Sequence, residues 1–167
     1  MKVLLIIRDI DNSALGLVGK SLIKELSKVV DLDVLYSNGE TNVKVDNVNK
    51  YYRLKYPTIP IRLYWGVMKV FKCSLFDEIW ARVGAIIFAN KKSYDIIFDI
   101  VSILTLDSLL LGHFLSQRLE VKHAVYFVDA IPAKGWSYNI NVSNTLKSIV
   151  KKTLPSADYF ASCNKKM

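Results

Sequence analysis

The sequence is poor in cysteine, glycine and proline. Its two cysteines, Cys73 and Cys163, lie far apart and lack the spacing of a metal site. Seven glycines and four prolines among 167 residues, of which 51% are hydrophobic, exclude a disordered or low-complexity chain. A chain of this length buries a core without disulfides or metals, so we expect one domain over residues 1–167 in a reducing, cytoplasmic setting.

Long hydrophobic runs are also absent. No stretch reaches the roughly 18 to 20 uninterrupted apolar residues that a transmembrane helix requires. The apolar run in the opening MKVLLIIRD is too short for a signal peptide. Any contact with a membrane is therefore expected at the membrane surface.

Acidic residues are in the minority. The chain has 23 Lys and Arg against 15 Asp and Glu, for a net charge of +8. This balance favours an anionic partner, such as nucleic acid, acidic phospholipid or a phosphorylated substrate. Since no nucleic-acid-binding motif accompanies the charge, nucleic acid is not expected as the partner.

Apolar runs alternate with helical stripes along the chain. Strands are predicted at residues 2–7 and in the segments DLDVLYS, NVNKYYRLKY, YDIIFDI, VKHAVYFVD and ADYFASC. Between them, apolar residues recur every three or four positions, as in helices, and the long stretch 61–92 needs a break near Gly66, Ser74 or Gly84. The predicted fold is α/β: a Rossmann-like, doubly wound, mainly parallel sheet of about six strands with helices on both faces.

The loops after the strands are the candidate ligand-binding segments. Ligands of such sheets bind at the carboxyl ends of the strands, here the loops 8–19, 36–42, 99–105 and 129–141. Gly16 and Gly19 lie at the start of the first predicted helix, where backbone N–H groups can bind a phosphate. The alternative is that these glycines only permit a turn and close packing of the helix on the sheet. Asp99 after the fourth strand is a second candidate phosphate- or substrate-binding residue.

The string GLVGKS, residues 16–21, is close to a nucleoside-triphosphate loop. Such a loop requires G-x-x-x-x-G-K-[ST], and Ala14 stands where its first glycine belongs. A nucleoside triphosphatase with Asp99 as magnesium ligand is therefore an alternative interpretation, but the motif that defines this class lacks its first glycine here.

The loop VDAIPAKGWSYN follows the fifth strand and is rich in polar and aromatic side chains. Asp129, Lys134 and Trp136 suit a sugar or nucleotide ligand, because an aromatic ring packs on a sugar while a carboxylate accepts hydroxyl hydrogen bonds. The alternative is a surface loop held by a buried tryptophan. His113 and His123 are interpreted as structural.

Four segments, in this order, resemble the N-terminal half of family 4 retaining glycosyltransferases, which have the GT-B architecture. They are KVLLII…GLVGKSLIKEL, YDIIFDI, VYFVDAIPAKGW and LPSADYFASCNKKM. The resemblance implies a second Rossmann-like domain that holds the donor and is absent from this chain. The resemblance places Gly16 and Gly19 near the donor phosphates. The family has a catalytic His-Asp pair where this sequence reads Val128-Asp129, so the resemblance implies a catalytic role for Asp129 only.

The implied function is that of an acceptor-binding domain. The whole enzyme would transfer a sugar from a nucleotide-sugar donor to a saccharide or lipid-linked saccharide acceptor, in cell-surface polysaccharide synthesis. Neither a metal nor a cofactor is implied, since the nucleotide sugar is a substrate, and the isolated chain is expected to be inactive. The alternative is a stand-alone nucleotide-binding or interaction module with a flavodoxin-like sheet and no transferase activity.

The segment 51–76 contains basic residues and no acidic one. On a continuous helix its cations and tryptophans share one side, while Tyr64, Met68, Phe71, Leu75 and Ile79 form a second side that can enter the core. The first side predicts contact with an anionic membrane surface, on the inner face of the membrane. The alternative is that the tryptophans pack inside and the lysines extend into solvent. The predicted membrane-facing residues are Arg62, Trp65, Lys69, Lys72 and Trp80.

Overall fold

The strands and helices alternate in the predicted order. The computed structural model describes residues 1–10, 14–38, 45–71, 74–89, 93–102, 106–128 and 140–162. The strands are β1 (Lys2–Asp9), β2 (Asp31–Asn38), β3 (Lys50–Arg53), β4 (Ile96–Val101), β5 (Lys122–Phe127) and β6 (Tyr159–Ser162). The α-helices are α1 (Ala14–Leu26), α2 (Ile61–Phe71), α3 (Leu75–Ala89), α4 (Leu106–Leu119) and α5 (Ile140–Thr153).

The six strands form one parallel sheet with the order β3-β2-β1-β4-β5-β6. The chain starts at the centre, builds outward to β3, returns to β4 and builds outward to β6. This confirms the predicted doubly wound, Rossmann-like α/β fold. The flavodoxin-like sheet of the alternative interpretation is wrong, because that sheet has the order 2-1-3-4-5.

Both faces of the central strand are buried, which explains its nearly continuous apolar sequence. Leu4 and Ile6 enter a core with α3, α4 and α5 on one face of the sheet. Leu5 and Ile7 enter a second core beneath α1 on the other face. Helices therefore lie on both faces, as predicted.

The helical stretch predicted over residues 61–92, with a break, consists of two helices. α2 ends at Phe71 and α3 begins at Leu75, so the break lies at Ser74, one of the three predicted positions. Ser74 is buried, and its carbonyl accepts a hydrogen bond from the N–H of Glu78 at 2.9 Å. The carbonyl of Ser74 therefore closes the first turn of α3.

The break also changes which side of the chain faces the core. In α2, Met68 is buried as predicted, but Phe71, which shares the predicted core side, is exposed, so the prediction is wrong for that residue. In α3 the prediction is wrong: Trp80 packs against the core, whereas Leu75 and Ile79 are exposed. The rotational phase of a helix does not continue across a break. Residues between 62 and 80 that would lie on one side of a continuous helix therefore do not lie on one side in the fold.

Candidate functional site

Five polar side chains gather at the carboxyl ends of the strands. Arg8 lies near the end of β1, Tyr56 follows β3, Tyr64 lies in α2, Asp77 in the first turn of α3 and Asp107 in the first turn of α4. We call these residues the carboxyl-edge cluster. They surround the point where β1 and β4 lead to opposite edges of the sheet, which is where open α/β sheets bind ligands.

An ion pair between Arg8 and Asp107 forms the centre of the cluster. Nη1 of Arg8 donates to Oδ1 of Asp107 at 3.1 Å, and the Arg8 side chain is 28% exposed whereas that of Asp107 is 2% exposed. The guanidinium also lies 5.4 Å from the ring centroid of Tyr56. Asp107 stands at the N-terminus of α4, where the helix dipole favours a negative charge. The buried carboxylate thus orients a guanidinium that remains partly open to solvent.

Asp77 provides a second buried carboxylate. It accepts a hydrogen bond from the hydroxyl of Tyr64 at 2.7 Å and another from the hydroxyl of Tyr56. Burial raises the pKa of Asp77, and the two phenol donors oppose that rise. Burial also raises the pKa of each tyrosine, so both hydroxyls remain protonated donors.

Burial also changes the electrostatics of Asp107. Burial raises its pKa to about 6, with the charge of Arg8 opposing the rise and that of Asp77 adding to it. No hydrogen-bond partner for its Oδ2 atom occurs among the residues that the structure describes. A carboxyl group that titrates near neutrality at a ligand-binding edge is a candidate functional group, able to accept or donate a hydrogen bond.

Asp99, a predicted site residue, lies inside the sheet. It belongs to β4 rather than to the loop after it, and it is 0% exposed. Its Oδ2 atom lies 2.7 Å from Nε2 of His123, and burial raises the pKa of Asp99 to about 6 while His123 opposes the rise. Placement of Asp99 as a magnesium ligand at a strand end is wrong, because the side chain pairs with a buried histidine in the interior.

The two histidines have structural surroundings, as interpreted from the sequence. His123 pairs with Asp99, and Nδ1 of His113 lies 2.8 Å from Oγ of Ser156 beneath α4. Both histidines are buried.

The two predicted glycines lie in α1 rather than in a loop. The helix begins at Ala14, so the loop predicted over residues 8–19 ends earlier. Gly16 is buried in the first turn. A Cβ at Gly19 would overlap Cδ1 of Ile7 in β1, so Gly19 permits close packing of the helix on the strand. Of the two interpretations of Gly19, the structure supports packing.

The remaining predicted residues are distributed as follows. Asp129, Lys134, Trp136 and Lys72 lie outside the described residues, and the side chain of Trp65 is likewise not described. Arg62 and Lys69 are exposed on α2. The indole of Trp80 is half-buried, donates to the carbonyl of Lys55 at 3.2 Å and lies 5.3 Å from the ring of Tyr56. Trp80 therefore borders the carboxyl-edge cluster.

The members of the cluster were not singled out from the sequence, although two of them carry a signal. Arg8 is a charge that closes an apolar strand, and Asp107 is an acid within the apolar helical segment SILTLDSLLLGHFL. Tyr56, Tyr64 and Asp77 carry no such signal, because only the fold brings their elements together.

Metal ligation and similarity to known proteins add no further assignment. Within the described ranges, no three His, Cys, Asp or Glu side chains come together in a way that could hold a metal ion. No protein-family model matches the chain, and a search of curated proteins finds no match.

Proposed function

We propose that this chain is the acceptor-side domain of a glycosyltransferase with GT-B architecture. The whole enzyme would move a sugar from a nucleotide-sugar donor to a saccharide or lipid-linked saccharide acceptor. The observation that carries the proposal is the Arg8–Asp107 pair, set beside Tyr56 and Asp77 at the switch point of the sheet.

The guanidinium of Arg8 supports binding of a phosphate group. Arginine presents a planar set of donors that matches phosphate oxygens, and its hydrogen bonds to ionised groups are about twice as strong as neutral ones. Asp107 and the ring of Tyr56 fix this guanidinium on two sides while 28% of the side chain stays exposed. Nucleotide sugars and lipid-linked sugars both carry phosphate that such a group can bind.

The carboxylates and aromatic rings of the site support binding of a sugar. Oδ2 of Asp107 is buried and has no hydrogen-bond partner among the described residues, so it would accept a hydrogen bond from a sugar hydroxyl only where the ligand displaces the atoms that cover it. Tyr56 and Trp80, with ring centroids 5.3 Å apart, offer an aromatic wall beside it. Polar groups placed beside aromatic rings are what a saccharide site requires.

The chemistry of the proposed transfer is consistent with this set of groups. The bond between the anomeric carbon and the diphosphate oxygen breaks, and a bond to an acceptor hydroxyl oxygen forms. The nucleoside diphosphate leaves with negative charge that a guanidinium can stabilise, and the hydroxyl proton is lost to a base or to the departing phosphate.

A nucleotide-binding module without transferase activity is the second candidate. The sheet order β3-β2-β1-β4-β5-β6 is that of dinucleotide-binding folds, and one glycine of their phosphate loop serves helix–strand packing, as Gly19 does against Ile7. This module would recognise the nucleotide and be indifferent to the sugar.

Titration of the 167-residue chain tests the proposal and separates the two candidates. The probes are UDP, UDP-glucose, GDP-mannose and short glucans, followed by calorimetry and by amide chemical shifts. We expect shifts at the carboxyl-edge cluster with the short glucans, which stand for the acceptor, and tighter binding of nucleotide sugars than of the free diphosphate through the part of the donor site that this domain contributes. Arg8→Met should weaken the binding of phosphate-containing ligands about tenfold or more, since a hydrogen bond to a charged group contributes about 1.5–3 kcal/mol to binding.

The matched control is Arg118→Met, an exposed arginine in the last turn of α4, at the opposite edge of the sheet. It should leave every affinity unchanged. Binding of UDP with no contribution from the sugar, and no binding of glucans, would favour the nucleotide module. Absence of shifts at the cluster with every probe would overturn both candidates.

A further inference from the structure

The outer face of α3 is apolar and exposed. Five large apolar side chains lie along it, each 38% to 52% exposed. Their spacing places them on one side of the helix, with Arg82 as the charged residue on that side. Single exposed apolar residues are ordinary, but a contiguous apolar surface marks an interaction site. We call these residues the α3 stripe: Leu75, Ile79, Val83, Ile86 and Ile87.

The neighbouring helix α2 also exposes apolar side chains. It contacts α3, and its own exposed apolar residues are Leu63, Val70 and Phe71, at 53%, 73% and 62%. Arg62 and Lys69 are exposed on the same helix. α2 therefore exposes apolar and cationic side chains together, whereas the α3 stripe is almost wholly apolar.

The exposed charges of α2, α3 and α5 are predominantly positive. The acidic residues of α2, α3 and α5 are Asp77, which is buried, and Glu78, which pairs with Arg82 at 2.8 Å and with Lys152 at 2.9 Å. The exposed cations of these helices are Arg62, Lys69, Arg82, Lys147, Lys151 and Lys152. A partner that fits this surface is therefore apolar and anionic at once.

We infer that the α3 stripe docks on the surface of an anionic phospholipid bilayer, with the side chains of the stripe at the boundary between headgroups and acyl chains. Such a surface satisfies both properties, because apolar side chains enter the interface while basic side chains meet anionic lipids. A second copy of the chain fits less well, since a two-fold contact would bring each set of cations against its own copy. Among the described helices, none has the length and hydropathy needed to cross a membrane.

This docking surface differs from the one predicted from the sequence. Trp80 is half-buried and packs partly against the core, and Leu75 and Ile79, on the side predicted to enter the core, are exposed. The inference goes beyond the proposed function and does not depend on it, because it rests on exposed residues outside the carboxyl-edge cluster.

Co-sedimentation of the 167-residue chain with vesicles tests the inference. The vesicles contain 30% phosphatidylglycerol in phosphatidylcholine, or phosphatidylcholine alone. We expect wild type to bind the anionic vesicles, and Ile79→Ser/Val83→Ser to bind at least about tenfold more weakly because it removes two of the apolar side chains. Arg62→Gln/Lys69→Gln should weaken binding about tenfold as well, and only to anionic vesicles.

The matched control is Leu17→Ser/Val29→Ser. These two residues are 55% and 76% exposed and belong to the region of α1, on the other face of the sheet. The control should bind as wild type does. Circular dichroism should show that all variants fold, since every substituted side chain is exposed.

Three results would overturn the inference. Wild type could fail to bind anionic vesicles, the control could lose as much binding as the stripe variant, or wild type could form a dimer that Ile79→Ser/Val83→Ser dissociates. In the last case the occupant of the surface is a second copy. Arg8→Met should bind vesicles as wild type does, so failure of this inference and failure of the proposed function are distinguishable.

Discussion

Replacement of Asp107 by asparagine should make the stability of the fold less dependent on pH. Burial raises the pKa of Asp107 from its ordinary value of 3.8 to about 6. An acid whose pKa is raised by folding binds its proton more tightly in the folded state, so its ionisation destabilises the fold as pH rises. Asparagine keeps the shape of the side chain and cannot ionise.

The size of the effect follows from the change in pKa. A rise in the pKa of Asp107 from 3.8 in the unfolded chain to about 6 in the folded chain lowers the free energy of unfolding by about 3 kcal/mol, once the group is ionised in both states. Little of this cost is present below pH 4, and nearly all of it is present above pH 6.5. Because the unfolded chain is already partly ionised at pH 4, we expect about 2 kcal/mol of the change to fall between pH 4 and pH 7.5.

Urea denaturation at a series of pH values measures this change. The free energy of unfolding of Asp107→Asn, minus that of wild type, should increase by about 2 kcal/mol from pH 4 to pH 7.5. The attraction of Arg8 needs no separate correction, because it acts on the ionised form of Asp107 and is already contained in the pKa of about 6. Asp46→Asn, which removes a carboxyl group at an exposed position before β3, is the matched control.

Two outcomes would refute the reasoning. A difference for Asp107→Asn that is independent of pH would mean that the carboxyl group ionises as easily in the folded chain as in the unfolded one. A difference that decreases with pH would mean that the ion pair with Arg8 outweighs burial. Either outcome would remove the case for Asp107 as a group that titrates near neutrality.

Two further predictions concern close packing at glycine. Gly112→Ala should lower the free energy of unfolding by about 2–4 kcal/mol, because the added Cβ would overlap the carboxylate of Asp99. Gly66→Ala should raise the free energy of unfolding by up to about 1 kcal/mol, because the space around its Cβ is open. Thermal denaturation measures both changes, and equal effects would contradict the overlap at Gly112. Gly19→Ala should cost about 1–3 kcal/mol through contact with Cδ1 of Ile7, and Ile7→Val, which removes that atom, should recover part of the loss in a double-mutant cycle. Additive losses would show that the two residues do not compete for the same space.

Periodic patterns allowed the fold to be predicted, because burial imposes them on the sequence. The apolar run at residues 2–7 predicts β1, and the apolar positions spaced by three and four predict α1 and the side of it that faces the core. The alternation of such strands and helices along the chain predicts a parallel sheet. The orientation of α3 was not predictable in this way. The break before Leu75 resets the helical phase, and the segment is apolar on nearly every side.

The candidate site was less predictable than the fold. Arg8, Tyr56, Asp77 and Asp107 lie far apart along the chain and meet only because strands leave the sheet at one edge. Asp99 was misplaced for a related reason. An acid near the end of an apolar run has the same sequence context whether it is the last buried residue of a strand or the first residue of a loop.

The buried pair of Asp99 and His123 has a consequence for strand alignment. Apolar strands can slide along one another, and a slip of one residue is excluded because it would turn every side chain to the wrong face. A slip of two residues preserves the faces, and in a wholly apolar sheet it would cost little. In the register of β4 and β5, His123 lies opposite Ile97, two residues from Asp99. A two-residue slip that moves His123 toward Asp95 would separate Asp99 from its partner and leave a carboxylate unpaired in the interior. The pair therefore opposes one of the two-residue slips of β4 and β5 that hydrophobic patterning alone would allow.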